Sequence, residues 1–363
     1  MLTGVIIAAI GTYLLTSPKT RPSVFCHRGR VSFFIFILYT VVVALAHKNY
    51  LGIACSLGFF LIVTISYYVR SVITKRVFEH GLDICCYCAI PIGIAAIIEK
   101  VINSADDSYR CKLWFFNENY FCTIMAAVII ICAFRATSYK KSVVIYYVCA
   151  FFAAISMYLG ESIFAFVNLF VGICVMLVLR HKHLTLAAFL LMVCFCLVII
   201  YCVPDLFPRL AESNITTDRR IRIWNEAMTF IKENPLFGRG FLSYHQITSA
   251  AQGVYKTQHA HNFALEPLVS FGIIGSLLLI GFIWSYYGKV AECKELLRKN
   301  CATSLILALS AGMMIHMTTD MTILWIQTGL LFGLILGGIG VDEKALNKRI
   351  NACANKNSSK TEE

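Results

Sequence analysis

Charge is scarce in this sequence: only 14% of its 363 residues are charged, while 58% are hydrophobic. Soluble domains are nearer 25% charged and roughly 45–50% apolar, so a soluble globular fold does not fit. Regular alternation of apolar and polar residues is missing as well, which argues against a membrane β-barrel. No stretch is left over for a separate soluble domain of ordinary size. The first apolar run, Leu2 to Thr16, lacks a small-residue cleavage pattern and is followed by basic residues. It reads as a retained span and not as a signal peptide. Sixteen cysteines are present, but "CCYC" at 85–88 has no matching partner cluster, so a structural metal site is not indicated. Most cysteines lie inside apolar runs, where they pack as small hydrophobes. Cys111 and Cys122 are the pair placed to meet an oxidising compartment as a disulfide.

What is present is a succession of apolar runs of about 17–20 residues, the length that crosses a bilayer as a helix. Eleven spans are expected, near 2–16, 31–46, 50–69, 82–101, 120–136, 142–159, 162–179, 183–202, 262–287, 302–320 and 322–341. The fold class is therefore an all-α polytopic membrane protein. Its parts are transmembrane helices over 1–202, an external loop over 203–261, transmembrane helices over 262–341 and a solvated cytoplasmic tail over 342–363.

The loops between spans alternate in charge. Those around Arg30, Arg76, Lys140, Arg180, Lys294 and Arg349 carry 21 of the 32 lysines and arginines. The positive-inside rule puts them in the cytoplasm, with the N-terminus outside and the C-terminus inside. The net charge of +12 is then mostly a topology signal. Basic residues scattered over short loops do not make a nucleic-acid site.

Seven of the remaining eleven positive residues fall in the external loop. It opens with "VPDLFPRL", where Pro204 and Pro208 stop the preceding helix. Then Thr217 or Asp218 caps a helix start. Ile221, Trp224, Met228 and Ile231 make one apolar stripe, and Asn234-Pro235 ends the helix before Gly238 and Gly240. Arg220 falls at the edge of that stripe, so it can point inward. Arg222 lies four residues before Glu226 and can pair with it; Arg219 points away. A basic helix of this kind can lie on anionic lipid heads. It can also grip phosphate, because guanidinium forks match phosphate oxygens and the glycines let backbone come close.

The run "QHAHNFALEPLVSFGIIG" follows at 258–275. His259, His261 and Asn262 sit at the external mouth of a span whose first turns carry Glu266. An ionisable residue inside a span marks function. Gly272 and Gly275 permit close helix packing. His-x-His suits a metal pair, but no third and fourth ligand is evident. A histidine here instead serves as a base for a sugar hydroxyl, and an arginine across from it stabilises a pyrophosphate leaving group. Asp320 and His316 lie at the outer end of the last two spans. Asp320 can orient His261, bind sugar hydroxyls or simply cap a helix.

His261-Asn262, nine residues, Gly272, two residues and Gly275 resembles the signature of the O-antigen ligase and polymerase superfamily. The segment "RIRIWNEAMTFIKENPLFGRGF" is similar to the block that precedes it there, with Arg220, Trp224, Asn234-Pro235-Leu236 and Gly238-Arg239-Gly240 in matching places. The family-like block is expected over about 150–335. The resemblance implies a GT-C-like helical fold in the inner membrane of a bacterium. It implies transfer of a polyprenyl-pyrophosphate-linked glycan to a glycan or lipid-linked acceptor, with inversion and without metal or cofactor. His261 would activate the acceptor and Arg220 would hold the pyrophosphate. Arg219, Arg222, Arg239, His259, Asn262, Glu266 and Asp320 would bind substrate. Membrane lipids, a flippase and a chain-length regulator are the implied partners. One departure matters. Family members carry a Ser-Arg pair in a mid-chain span, and here Ser162 is followed by Ile163. Arg219, Arg222 or Arg239 would have to supply the second charge. Polymerase is the leading reading and ligase the alternative. A transporter would need internal repeats and broken mid-membrane helices, which are not apparent. A mere interaction protein leaves Glu266 unexplained.

Overall fold

The computed structural model describes residues 2–27, 29–106, 108–115, 117–138, 143–203, 213–251, 253–292, 301–345 and 347. Among these residues the chain is all helical, with no strand. The apolar runs give α1 (Leu2–Thr16), α3 (Arg30–Ala46), α4 (Tyr50–Val72), α5 (Lys75–Ile102), α6 (Glu118–Ser138), α7 (Val143–Leu159), α8 (Ile163–Leu179) and α9 (His183–Cys202), with a short α2 (Arg21–Phe25). The long hydrophilic segment gives α10 (Ser213–Glu233) and α11 (Ser243–Ala250). Then follow α12 (Leu265–Glu292), α13 (Ala302–His316), one turn of 3-10 helix over Thr322–Leu324 and α14 (Ile326–Leu336). Among the described residues, six helices are long and apolar enough to cross a membrane, and five shorter apolar helices accompany them.

The helices pack α13 on α8, α6 on α7, α5 on α7, α1 on α4 and α3 on α12. Helix α9 packs on α8 through Phe189, stacked 6.0 Å from Phe170, and none of its residues is buried. The basic loops meet at one end of the bundle. There Lys75 pairs with Asp342 at 2.8 Å, and Arg135 makes a two-pronged contact with Asp83 at 2.6 and 2.8 Å. Asp342 also accepts from the first amide of α13 at 2.6 Å, so the start of the expected tail is anchored to the bundle. Residues 348–363, like Pro204 and Pro208, lie outside the described residues. Cys111 and Cys122 are free thiols, not a disulfide. Each points its sulfur at a carbonyl, Cys111 at Ala96 and Cys122 at Met157.

At the other end, the segment that carries α10 and α11 is bolted to α12 through backbone. Helix α12 breaks at Gly272, whose φ of 62° and ψ of −168° are not helical. Amides after such a break lose their partners, which costs several kcal/mol apiece in a membrane. Here Ile273 N–H donates to Pro235 O at 2.9 Å and Ile274 N–H to Leu236 O at 3.1 Å. In return, the amides of Arg239 and Gly240 donate to Ser270 O at 3.0 and 2.6 Å. The Tyr39 hydroxyl on α3 seals the joint, donating to Phe237 O and Phe271 O. Phe241 wedges in beside it, 4.6 Å from Phe271 edge-on. The glycines of "GRG" therefore bring backbone against backbone, and do not lie open to a phosphate.

Helix α10 starts at Ser213, four residues before the expected cap at Thr217. Its buried face also differs from the expected stripe. Ile223, Ala227 and Phe230 are buried with Trp224 and Ile231 beside them, while Ile221 and Met228 are exposed. At about 100° per residue, Arg220 falls in the middle of that buried face, not at its edge. The cause is the partner surface: Tyr244, Ala260 and Val269 cover this side.

The joint makes a stability prediction. A Cβ at Gly272 would lie 2.4 Å from the Leu236 carbonyl, and one at Gly238 would lie 2.6 Å from Gly272 N; both have positive φ. Gly272→Ala and Gly238→Ala should each cost about 3 kcal/mol or more. Gly281→Ala on the same helix, with open space around it, should be near neutral. Melting of the detergent-solubilised variants checks this.

Candidate active site at the mouth of α12

Asn262 is the hinge between the external segment and α12. Its side-chain oxygen accepts from the Ala264 and Leu265 amides at 2.9 and 3.3 Å, capping the helix. Its NH2 donates to Thr318 O at 3.1 Å, and Phe263 N–H donates to Met317 O at 2.8 Å. The mouth of α12 is thus pinned to the connector after α13. That helix ends at His316, so Asp320 falls in the connector and not in a span.

Three clamps hold the strand of chain before Asn262. Glu226 on α10 accepts from the Tyr255 amide at 3.1 Å and from Tyr244 OH at 2.9 Å. Thr248 on α11 donates to Thr257 O at 3.3 Å. Glu266, buried, accepts from the Ala260 amide and the Ser270 hydroxyl, both at 2.8 Å. These bonds force His261 into a left-handed conformation with φ of 51°, a strain that persists only where surroundings over-determine it.

His259, His261 and Asp320 are brought together. Asp320 Oδ1 lies 3.2 Å from His261 Nδ1 and 3.7 Å from His259 Nε2. Asp320 and His259 are 2% and 1% exposed, His261 rather more. Asn119 on α6 donates to the other Asp320 oxygen at 2.7 Å. Asp320 does not cap a helix with its side chain. Burial pushes the His259 imidazole down to about 3, and nearby His261 adds to this, so His259 is neutral. Burial opposes ionisation of Asp320, but the His261 contact and the other imidazoles outweigh it and hold the carboxyl well below its ordinary value.

The tautomers follow from the contacts. His261 N–H donates to His259 Nδ1 at 3.2 Å, so the neutral His259 carries its proton on Nε2. A carboxylate only accepts, so His261 turns a protonated Nδ1 to Asp320. That leaves its Nε2 as an acceptor, 3.0 Å from the Thr257 hydroxyl. The ligand atoms of His259, His261 and Asp320 lie within 4.8 Å of one another. To bind an ion through Nε2, His259 would have to move its proton to Nδ1, which already accepts the His261 amide.

The arginines separate. The Arg220 guanidinium lies 4.8 Å over the Phe164 ring at the start of α8, close enough for its charge to act on His316. His316 is buried between Thr123 and Thr322, at 3.2 and 3.4 Å, and the Asp320 amide bonds its carbonyl. Arg220 is thus the arginine of α10 that packs against the start of α8, on the side of His316. Arg222 pairs with Glu226 at 3.1 Å and donates to Gly253 O. Arg239 pairs with Glu233 at 2.7 Å and faces a separate recess of about 350 Å³ with His47 and Gln246. Arg219 is exposed. Asn119 and Thr257 escaped the sequence reading. Nothing in their local pattern marks them, since both reach the site only through tertiary packing.

Residues 148–280 match the family model described as O-antigen ligase. No curated protein matches the chain. The resemblance to the O-antigen ligase and polymerase superfamily is thereby borne out. The matched block contains Arg220 and His261; Asn119 and Asp320 come from outside it.

A pH dependence follows from His259. Its folded value lies near 3 against 6.5 when free, so the unfolded chain takes a proton that the folded chain refuses. Stability should fall as pH drops below about 6.5, and keep falling toward 3. His259→Asn keeps an acceptor for the His261 amide but does not titrate. The loss of melting temperature between about pH 7.5 and about pH 5 should be smaller in that variant.

Proposed function

We propose that this protein is a multi-pass membrane glycosyltransferase that moves a polyprenyl-pyrophosphate-linked glycan onto an acceptor sugar hydroxyl. The reading places eleven crossings in the inner membrane of a bacterium, with the N-terminus and the α10–α11 segment outside. The observation that carries it is the His261–Asp320 pair at the mouth of α12, with Nε2 turned away from the carboxylate and Arg220 converging from α10.

In the reaction, the acceptor hydroxyl takes the place of Thr257 at His261 Nε2 and gives up its proton there. Its oxygen attacks the anomeric carbon as the bond to pyrophosphate breaks, so one displacement inverts the centre. Asp320 keeps the imidazole in the required tautomer and balances the imidazolium that forms, the logic of a histidine–carboxylate pair. Such contacts commonly tighten when substrate binds. Arg220 meets the charge that develops on the leaving polyprenyl pyrophosphate. Neither step needs a metal or a cofactor. Arg219, exposed beside Arg220, is the remaining candidate for a second phosphate contact, since Arg222 and Arg239 are already paired with glutamates.

We assign the acceptor to a growing chain, which makes the enzyme a polymerase of surface polysaccharide. The ligase reading is kept because the matched family model is described as a ligase. A size profile of lipid-linked and surface glycan decides. Deleting the gene should leave single repeat units on the carrier and abolish long chains. Long chains that persist on the carrier but never reach their anchor would make it a ligase, and an unchanged profile would sink both readings. His261→Ala should lower transfer about 10²–10⁴-fold and Arg220→Ala about 10²–10³-fold, in membranes containing equal amounts of protein.

A further inference from the structure

The catalytic carboxylate is steered from outside the matched block. Asp320 has two oxygens, and only Oδ1 faces the histidines. The other is held by the Asn119 NH2 at 2.7 Å. An asparagine amide can present either its nitrogen or its oxygen, and an oxygen facing Asp320 would repel it. What fixes the choice is Arg110, in the segment between α5 and α6. Its Nη2 reaches the Asn119 oxygen at 3.3 Å. A guanidinium only donates, so it claims the oxygen and turns the NH2 toward Asp320.

Arg110 is itself immobilised. Its Nη2 and Nε donate to Gly160 O at 2.9 and 3.1 Å, and Nη2 also reaches Glu161 O at 3.3 Å. Its Nη1 lies 3.7 Å from Glu118. These carbonyls belong to the tight junction of α7 and α8, where Glu161 has φ of 50°. Asn119 is fixed at both ends of its backbone: its amide donates to Asn117 Oδ1 at 2.7 Å, and its carbonyl accepts from Thr123, which also contacts His316.

We propose that Arg110 and Asn119 form a brace that sets the orientation of Asp320 and, through it, of His261. Both are positioning residues, since neither touches the reacting atoms. The segment before α6 thus belongs to the working site although it lies far from it in sequence. This inference rests on the transferase reading above.

The test uses the full-length protein in membranes, with lipid-linked repeat units extracted from the host strain as substrate. Asn119→Leu should lower kcat about 10–100-fold, as a misplaced catalytic group does, with KM within about twofold. Arg110→Ala should act in the same direction, and Arg110→Lys should recover part of the loss because an ammonium still donates to the Asn119 oxygen. Asn119→Asp places a second carboxylate against Asp320, near His259, His261, His316 and Tyr120 and beside Arg110 and Glu118. Its acid limb in the pH–rate profile should move to higher pH, a change that a merely structural residue would not make. Folded Asn119→Leu with wild-type kcat would overturn the brace. If Asn119→Leu does not fold, Asn119→Ser decides by the same kcat criterion. His261→Ala in parallel separates the two ideas: if it stays active, the transferase assignment fails; if it is inactive while Asn119→Leu works normally, only the brace fails.

Discussion

The end of the bundle that carries α10, α11 and the mouth of α12 depends on one backbone joint, the contact of Gly238 with Gly272. A helix in a membrane cannot break without leaving amides unpaired, and unpaired amides are intolerable there. The break in α12 survives because Pro235 and Leu236 supply carbonyls to it, and because Ser270 O takes two amides in return. Any side chain at either glycine would separate the strands of this joint. The exchange ties α10 to α12 without a flexible link. It also makes the position of Arg220 on α10 and of His261 at the head of α12 consequences of a single geometry.

The site built on that joint is electrically economical. Asp320 is buried yet ionised, His259 is buried and neutral, and the two differ because they hold different neighbours. A buried carboxylate persists only where donors surround it. Asn119 donates to one oxygen, and His261 and His259 lie 3.2 and 3.7 Å from the other. His259 also acts through its other nitrogen, because Nδ1 accepts the His261 amide and so supports the strained backbone that presents the second imidazole. The His-x-His spacing is then a support and a base, not a pair of equals.

Sequence periodicity makes the helices legible, since the apolar runs are long and the basic loops alternate. The motifs at 220–240 and 259–275 are legible too, but what some of their residues do is not. The glycines of "GRG" suggest an open phosphate loop, whereas Gly238 is filled by the backbone of α12 and Gly240 by Ala44 on α3. The apolar stripe on α10 is displaced because its covering surface comes from α11 and from Ala260, which the sequence of α10 cannot reveal. Arg222, Arg239 and Arg220 look alike in composition, and only packing shows that the first two meet Glu226 and Glu233 while Arg220 lies over Phe164. Asn119 is invisible for the same reason, being an ordinary polar residue at the start of an apolar helix.

The same packing bears on the missing Ser-Arg pair. Ser162 does stand at the start of α8, and the residue after it is apolar. Cations nonetheless approach the beginning of that helix from two other elements. Arg110 holds the carbonyls just before it, and Arg220 lies over Phe164 just inside it. The first is saturated by carbonyls, Asn119 and Glu118, so its charge is spent on structure. The second is half-buried and faces the side on which His316 and Asp320 lie. A positive potential at this helix start is thus provided without an arginine in the helix itself. The dipole of α8 points the same way, because a helix N-terminus favours anions. The departure from the family pattern therefore removes a side chain while the positive character of the place is kept by its neighbours.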